Sequence, residues 1–463
     1  MTVATAPALW RHQEEALAFI RDKDAALLDM GMGTGKSLIA ITEAKRMAKR
    51  VLILCPLSVV PAWREQFDRF APEWRGVYLY KGSVAKKARA AKKETAMAAA
   101  MGSPLVVVIN YESARNNPFA SWALLQKFDL LVMDESHRLK SPKGATSRWV
   151  FQLSRTVHKR LALTGTPMPH SPLDIWAQMR SLDPRVFGTS FYSFRNKYSV
   201  FGGWKNKERT GNRNMGDLRE RLSHLTFQAS RDVLDLPPAI HERRLLDLGT
   251  KGQRIYDDLD RDFCAWVREG QEVTAQNSLV KLLRLMQLTS GLVSVETGYD
   301  EAVEAVRVDR TKEDAIVDLL EDLPEDEPVV VFGRFKGDLE SVHAAAKRLK
   351  RGSLELSGSR RELAEWQAGA APILAAQIQA GGVGIDLVRA RYCLFASVGF
   401  SLGDYLQALA RCHRPGQDRT VFYYHLIARG TVDEKVYRAL KARKNVVEAV
   451  LADIQNRKKD GEI

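Results

Sequence analysis

Cysteine is scarce and scattered: Cys55, Cys264, Cys393 and Cys412 are the four in 463 residues, with no paired spacing, so a disulfide framework or a zinc site is not expected. Three of them sit in apolar or helical stretches and read as reduced core thiols. Long apolar runs are absent as well. The one extended uncharged stretch, Thr95 to Tyr111, is broken by Gly102, Ser103 and Pro104 and reads as a helix end followed by a strand, not a membrane span. Met1 to Leu9 lacks the basic residues and long apolar region of a secretory leader. A cytoplasmic, reducing compartment without membrane contact is the expectation. Acidic residues are in deficit: 56 Asp and Glu face 70 Lys and Arg, a net charge of +14. That balance favours a polyanionic partner without naming it, since a soluble basic enzyme with an anion site looks the same. With 45% hydrophobic and 27% charged residues the chain has ample core, and its length suggests about three domains, or two large ones with insertions.

What is present is organised around Asp29-Met30-Gly31-Met32-Gly33-Thr34-Gly35-Lys36-Ser37. An apolar run, Ala25 to Leu28, enters this stretch, and an apolar-periodic segment, Leu38 to Met47, leaves it. Strand, glycine-rich turn and helix start are the context of a phosphate-binding loop. Met32, Gly33, Thr34 and Gly35 present backbone N–H groups to an anion, and the helix N-terminus adds its positive dipole end. Lys36 would reach the outer phosphates of ATP, and the Ser37 hydroxyl would take a place on Mg²⁺. The strict pattern wants glycine where Met30 stands, so only the shorter G-x-G-K-S form holds. The competing reading is a glycine-rich turn that binds nothing. Upstream, Leu9 to Gln13 opens an amphipathic helix, and Gln13 is positioned to pair with an adenine edge, although most helical glutamines are simply solvated.

Apolar runs at Val51–Leu54, Leu105–Ile109, Leu130–Met133 and Leu161–Leu163 alternate with helical patterns, which argues a parallel sheet covered on both faces. Ligands in such sheets sit at the carboxyl ends of strands, so the residues just past those ends matter most. Leu130–Met133 ends in Asp134-Glu135. Two carboxylates at a buried strand tip are costly unless they meet a cation. Asp134 fits Mg²⁺ coordination and Glu135 fits deprotonation of an attacking water; helix capping accounts for one acid but poorly for both. Leu161–Leu163 ends in Thr164-Gly165-Thr166-Pro167, a polar turn suited to sensing the terminal phosphate. A second set of runs (Val329–Phe332, Ile373–Ala375, Cys393–Phe395, Val421–Tyr424) implies a second parallel sheet without a phosphate loop. Gln379 to Asp386 supplies small residues for close backbone approach, Gly384 among them, and the Asp386 carboxylate. Gln407 to Arg414 places Arg411 and Arg414 three apart, read as one helical face. Arginines supplied from outside a phosphoryl-transfer site are worth on the order of 10³–10⁵ in rate.

In this order the segments resemble helicase superfamily two, and within it the Swi/Snf-type DNA-dependent ATPases. The matching residues are Leu54-Cys55-Pro56-Leu57-Ser58 with Trp63 to Phe67, Asp134 to Lys140, Leu163 to Pro167 with Leu173 to Trp176, and Gln407-Ala408 with Arg411, His413, Arg414, Gly416 and Gln417. The resemblance implies two tandem RecA-like α/β lobes with a helical insertion between them. The expected divisions are 1–183 for the ATP-binding lobe, 184–250 for an aromatic and basic protrusion, 251–327 for a helical linker, 328–440 for lobe two, and 441–463 for a closing helix and tail. It further implies that Gly384 and Asp386 lie by the nucleotide. Ser58, Trp63, Tyr111, Thr164, Gly165, Thr166, Gln379 and Gln407 are the expected nucleic-acid or coupling residues. Two departures bear on DNA tracking rather than ATP chemistry. The family asparagine after the Thr-Gly-Thr-Pro turn is replaced within Met168 to Ser171, and Ser397-Val398-Gly399-Phe400 stands where the family has Asp and Trp.

From Phe191 to Trp204 aromatics interleave with cations, which suits either a stacking surface or a small helical protrusion with its own mini-core. The basic run Lys81 to Lys93 reads most simply as a solvated helix. The expectation is an ATP- and Mg²⁺-dependent monomeric motor on double-stranded DNA, of the compact kind carried by bacteria and bacteriophages. A strand-separating or branch-migrating helicase on DNA or RNA is the nearest alternative. A non-motor binding module switched by ATP is the alternative from another class.

Overall fold

The computed structural model describes residues 8–169, 171–202, 208–268, 275–295, 304–379 and 385–442. The chain passes from one compact unit to a second between Asp235 and Leu236. Within the first unit, strands β1 (Ala25–Met30), β2 (Arg50–Cys55), β3 (Arg75–Leu79), β4 (Leu105–Asn110), β5 (Leu130–Asp134) and β6 (Lys159–Thr164) precede a hairpin, β7 (Ser199–Gly202) and β8 (Glu208–Asn212), and a last strand, β9 (Thr226–Ala229). The seven-stranded sheet runs β3-β4-β2-β5-β6-β1-β9 and every pairing in it is parallel. Its central strands are buried on both faces, which is why they read as unbroken apolar runs. Leu52, Leu54, Val107, Leu131 and Met133 enter one core, while Val51, Ile53, Val106, Val108 and Val132 enter the other. Full burial of each such side chain is worth about 1.5–3 kcal/mol. This sheet sets β1, β6 and β5 side by side, so the turns that follow them share one edge.

The second unit contributes β10 (Ala239–Leu246), a small hairpin of β11 (Leu292–Val295) and β12 (Glu304–Arg307), then β13 (Val329–Gly333), β14 (Ser353–Leu356), β15 (Ile373–Gln377), β16 (Tyr392–Phe395) and β17 (Val421–Ala428). Its six-stranded sheet runs β10-β17-β16-β13-β15-β14 and is again parallel throughout. Each unit is therefore a parallel α/β layer structure, as expected of RecA-like lobes.

The stretch 184–250 is built differently from the expected protrusion. Phe187, Phe194 and Tyr198 meet edge-to-face or tilted, with ring centroids 4.8–5.7 Å apart, and pack on the first core, with Phe191 against Trp176 at 5.4 Å. Thr226–Ala229 then pairs with β1, and Ala239–Leu246 pairs with β17. The segment thus gives an edge strand to each sheet. Edge strands are half-solvated, so His241, Glu242, Arg243 and Arg244 hid β10 from a reading based on apolar runs. The mini-core reading holds for Phe187, Phe191, Phe194 and Tyr198, whereas Tyr192 is 66% exposed. A helix over Val432–Lys441 packs on the second unit, where Asp433 accepts Lys312 Nζ at 2.6 Å and Thr289 Oγ1 at 2.8 Å. The closing helix and tail expected over 441–463 lie outside the described residues beyond Ala442.

His425 on β17 is buried against Phe395, ring centroids 4.9 Å apart, with its Nε2 2.8 Å from Tyr405 Oη. Burial, then the neighbouring His241, lowers its pKa from 6.5 to about 3. A base whose folded pKa is depressed contributes stability above its unfolded pKa that is lost as pH falls. At about 1.4 kcal/mol per unit, the second unit is expected to lose roughly 2 kcal/mol between pH 6.5 and 5. Thermal melts of His425→Gln across that range test this: the acid-limb slope should flatten, and an unchanged slope would refute the assignment.

Candidate active site

The phosphate loop joins β1 to helix α2 (Lys36–Met47), after the N-terminal helix α1 (Arg11–Ile20). Gly33 and Gly35 adopt left-handed backbone at φ 82° and 84°, which a side chain would oppose. A Cβ on Gly35 would also run into the Gln13 amide. Thr34 Oγ1 donates to Gly31 O at 2.7 Å, and Thr34 O accepts from Gln13 Nε2 at 3.1 Å and lies 2.9 Å from His12 Nε2. Gln13 Oε1 accepts the Trp10 N–H at 3.0 Å. One N–H and one lone pair of this amide are engaged in these bonds, so Gln13 ties the loop to the start of α1. His12, which no sequence pattern singles out, shares that role. Met30 is the final, fully buried strand residue, not a loop residue, which explains the departure from the glycine pattern. Met32 and Ser37 are half-buried on the loop and helix start.

Lys36 Nζ donates to Met30 O at 2.8 Å and Gly31 O at 3.1 Å. Burial lowers its pKa, opposed by the charges of Glu135, Asp134 and Asp29. Burial also raises the pKa of Asp29, against a 2.9 Å hydrogen bond from Gln228 and the Lys36 charge.

The carboxylates end β5. Asp134 and Glu135 are both buried, and Glu135 has left-handed backbone (φ 50°, ψ 51°), a conformation that costs a non-glycine residue about 1 kcal/mol or more. Asp134 Oδ2 accepts the Trp63 indole N–H at 2.9 Å, Oδ1 accepts the Glu135 N–H at 3.0 Å, and the Asp134 carbonyl accepts Tyr111 Oη at 2.8 Å. Trp63 and Tyr111 are each 1% exposed. Their expected place as nucleic-acid contacts is therefore corrected: both face inward and orient an acid. Burial and the adjacent Glu135 raise the Asp134 pKa to about 7, with Trp63 and Lys36 opposing. Burial acts on Glu135 in the same direction, but His137, Lys36 and Arg138 together outweigh it and hold this carboxylate below its ordinary range. Glu135 Oε2 lies 3.2 Å from His137 Nδ1 without hydrogen-bond geometry, which leaves this oxygen an open acceptor.

The turn after β6 completes the edge. Thr164 Oγ1 accepts the Thr166 N–H at 3.1 Å and lies 3.2 Å from His137 Nδ1. A Cβ on Gly165 would sit 3.0 Å from Met30 O, so a side chain here would require the turn or the phosphate loop to give by a few tenths of an ångström. Gln178, fully buried, ties the turns together: Oε1 accepts Ser136 Oγ at 2.8 Å and Nε2 donates to Pro167 O at 2.7 Å. A lone amide among Ile175, Trp176, Ala177 and Met179 was the signal that could have found it.

Among the described residues no cluster of three or more His, Cys, Asp or Glu is arranged to hold a metal ion. Magnesium does not require one, since it takes one or two carboxylates with phosphate oxygens and water. The Asp134 carboxyl and the Ser37 hydroxyl are hard-oxygen donors of the type that would hold it.

In the second unit Arg411 is 6% exposed near the end of helix Leu402–Cys412, and burial lowers its pKa to about 10. Arg414 follows that helix in a turn, donating to Ile385 O at 3.3 Å, with its Nε buried and without a hydrogen-bond partner. The helix ends too early to put both arginines on one face, which corrects that expectation. Asp386 is exposed and caps its own turn through Val388 N at 2.9 Å. Gln379 and Ser58 are exposed and Gln407 half-buried, whereas Gly384 lies outside the described residues.

Residues 12–291 match the family of the SNF2-related domain. A SWI/SNF-related matrix-associated actin-dependent regulator of chromatin subfamily A-like protein 1 homolog from Caenorhabditis elegans is 26% identical over 95% of this chain and 61% of its own length. An uncharacterized ATP-dependent helicase of Mycoplasma genitalium is 23% identical over 97% of this chain and 43% of its own. The chain thus spans about 40–60% of the length of these relatives. The solved SWI2/SNF2 ATPase core of Sulfolobus solfataricus in complex with dsDNA is 21% identical, covering 96% of this chain and 93% of that one, with a TM-score of 0.44.

Asp134 carries an acid's cost in the folded state. An acid whose folded pKa is raised loses stability as pH climbs from 3.8 towards 7. Asp134→Asn is therefore expected to melt higher than the parent at pH 8, in the absence of divalent cations and nucleotide, by on the order of 1 kcal/mol. At pH 5 that advantage should shrink. An equal destabilisation at both values would contradict the repulsion between the two carboxylates.

Proposed function

This chain belongs to the SNF2-related domain family, and we propose that it is an ATP hydrolase that moves along double-stranded DNA. The observation that carries the reading is the shared edge of β1, β6 and β5, where a phosphate loop, a polar turn and an acid pair touch one another. Gly33, Gly35 and the N-terminus of α2 bind the phosphates, and Lys36 exchanges its carbonyl partners for phosphate oxygens. Magnesium, held by Asp134 and Ser37, supplies charge neutralisation at those oxygens when bound. Glu135, kept ionised and with a free oxygen, accepts a proton from the attacking water. Arg411 and Arg414 of the second unit are needed for turnover. Contributions of about 10³–10⁵ correspond to roughly 4–7 kcal/mol of barrier, enough to make hydrolysis wait for them.

His137, Gly165 and Gln178 link the phosphate site to the turns that surround it, which gives phosphate state a path into the scaffold. The chemistry of the relatives named as ATP-dependent helicases supports the same reading. We further propose a monomeric motor in a bacterial or phage-infected cytoplasm.

ATP turnover stimulated by duplex DNA is expected, with Lys36→Ala and Glu135→Gln each losing at least ~10²-fold. Arg411→Lys and Arg414→Lys should fall by about 10³-fold or more while nucleotide binding persists. Parent-like hydrolysis by Glu135→Gln would remove its catalytic assignment. Triplex displacement without duplex unwinding would distinguish translocation from strand separation.

A further inference from the structure

Helix α4 (Val84–Met101) follows α3 (Val60–Phe70) in the first unit and begins in a run that holds Lys81, Lys86, Lys87, Arg89, Lys92 and Lys93 with no acid among them. The structure divides the helix into two faces. Lys87, Ala88, Ala91 and Ala98 are buried, whereas Lys86, Arg89, Lys92 and Lys93 are exposed. At 3.6 residues per turn, Lys86, Arg89 and Lys93 fall within about 60° of one another, opposite the buried stripe. None of the exposed four has an ion-pair partner among the described residues, and the next acid, Glu94, is engaged by Arg75 at 2.7 Å.

The arrangement runs against helix stability. Cations are favourable at a helix C-terminus and unfavourable at its start, yet α4 has no acid in its first turn and no base in its last. Lys87 fixes this end of the helix: its buried Nζ donates to Asn110 Oδ1 at 3.1 Å and Ser113 Oγ at 2.9 Å. Those residues flank Tyr111, whose hydroxyl holds the Asp134 carbonyl at 2.8 Å. The basic face is thereby anchored to the strand exit that supports the candidate catalytic acids.

We propose that Lys86, Arg89 and Lys93 form a phosphate-backbone contact for duplex DNA, separate from the segments expected to track the strand. This rests on the motor reading above. A rise of 1.5 Å per residue puts Lys86 and Lys93 about 10 Å apart, which spans roughly three phosphates at 3.4 Å of axial rise per strand. Neighbouring charges of one sign with no internal partner match a polyanion and no neutral surface.

The test replaces all three together, Lys86→Gln, Arg89→Gln and Lys93→Gln, in the full chain. Binding of a labelled duplex is measured by anisotropy across a salt series, alongside DNA-free ATP turnover and melting temperature. The expected result is affinity at least ~10-fold weaker and a log–log salt slope shallower by about 2–3, at close to 0.9 for each phosphate no longer neutralised. DNA-free turnover should be unchanged and the melting temperature equal or higher, because helix-start cations are gone. Unchanged duplex affinity and slope, or weakening seen with heparin but not with duplex, would overturn the proposal. If instead the parent protein showed no DNA-stimulated turnover, the motor reading itself would fail, a result separable from the first.

Discussion

Two negative charges forced together at the buried end of β5 govern this structure. Asp134 and Glu135 cannot both ionise cheaply there, and everything around them answers to that constraint. Trp63 and Tyr111 commit their polar atoms to Asp134, and His137 sits against Glu135. Lys36 supplies the nearest fixed cation on the neighbouring loop, its own pKa lowered by burial and held up by those same acids. The result is asymmetric: Asp134 is left hard to ionise without a further cation, while Glu135 stays charged. Separated pKa values in adjacent acids are the ordinary means of giving one a ligand role and the other a proton-accepting role.

The sheet order makes the asymmetry usable. Because β6 lies between β5 and β1, the Thr164-Gly165-Thr166 turn is wedged between acid pair and phosphate loop. Gly165 lies against Met30, Thr164 meets His137, and Gln178 bridges Ser136 to Pro167. Such close-packed contacts are poorly compressible, so a change at the phosphate loop cannot be absorbed locally. It must move the turn or be resisted by it.

Most of the central architecture was legible because parallel strands covered on both faces announce themselves as apolar runs. The phosphate loop and the acid pair were legible because their chemistry restricts residue types. The supporting residues were not. Trp63 and Tyr111 look the same in sequence whether they stack on a base or turn inward to hold the carboxylate and the main-chain carbonyl of an acid; only packing decides. Gln13 was recognisable as polar at a helix start, but its partner, Thr34 O, is set by the loop's path. Edge strands such as β9 and β10 escaped because half their side chains face water. The early end of the helix carrying Arg411 was hidden by a helical pattern that continues in composition after the backbone has turned at His413.

The inward setting of Trp63 and Tyr111 changes what the first unit can offer a nucleic acid. Aromatic platforms hold bases by stacking whatever their sequence, and among the described residues of this unit the large exposed rings are Trp10 and Tyr192. Arg195 covers the latter at 5.3 Å. What remains at the strand exits and on α4 is hydroxyl and cation: Ser58, Lys86, Arg89 and Lys93. Groups of that kind grip phosphate and sugar without distinguishing sequence. A motor that steps along arbitrary DNA needs that indifference, since a base-specific contact would trap it at preferred sites. The inward aromatics therefore serve the acid pair, and under the proposed reading the surface they leave for a nucleic acid is polar and cationic.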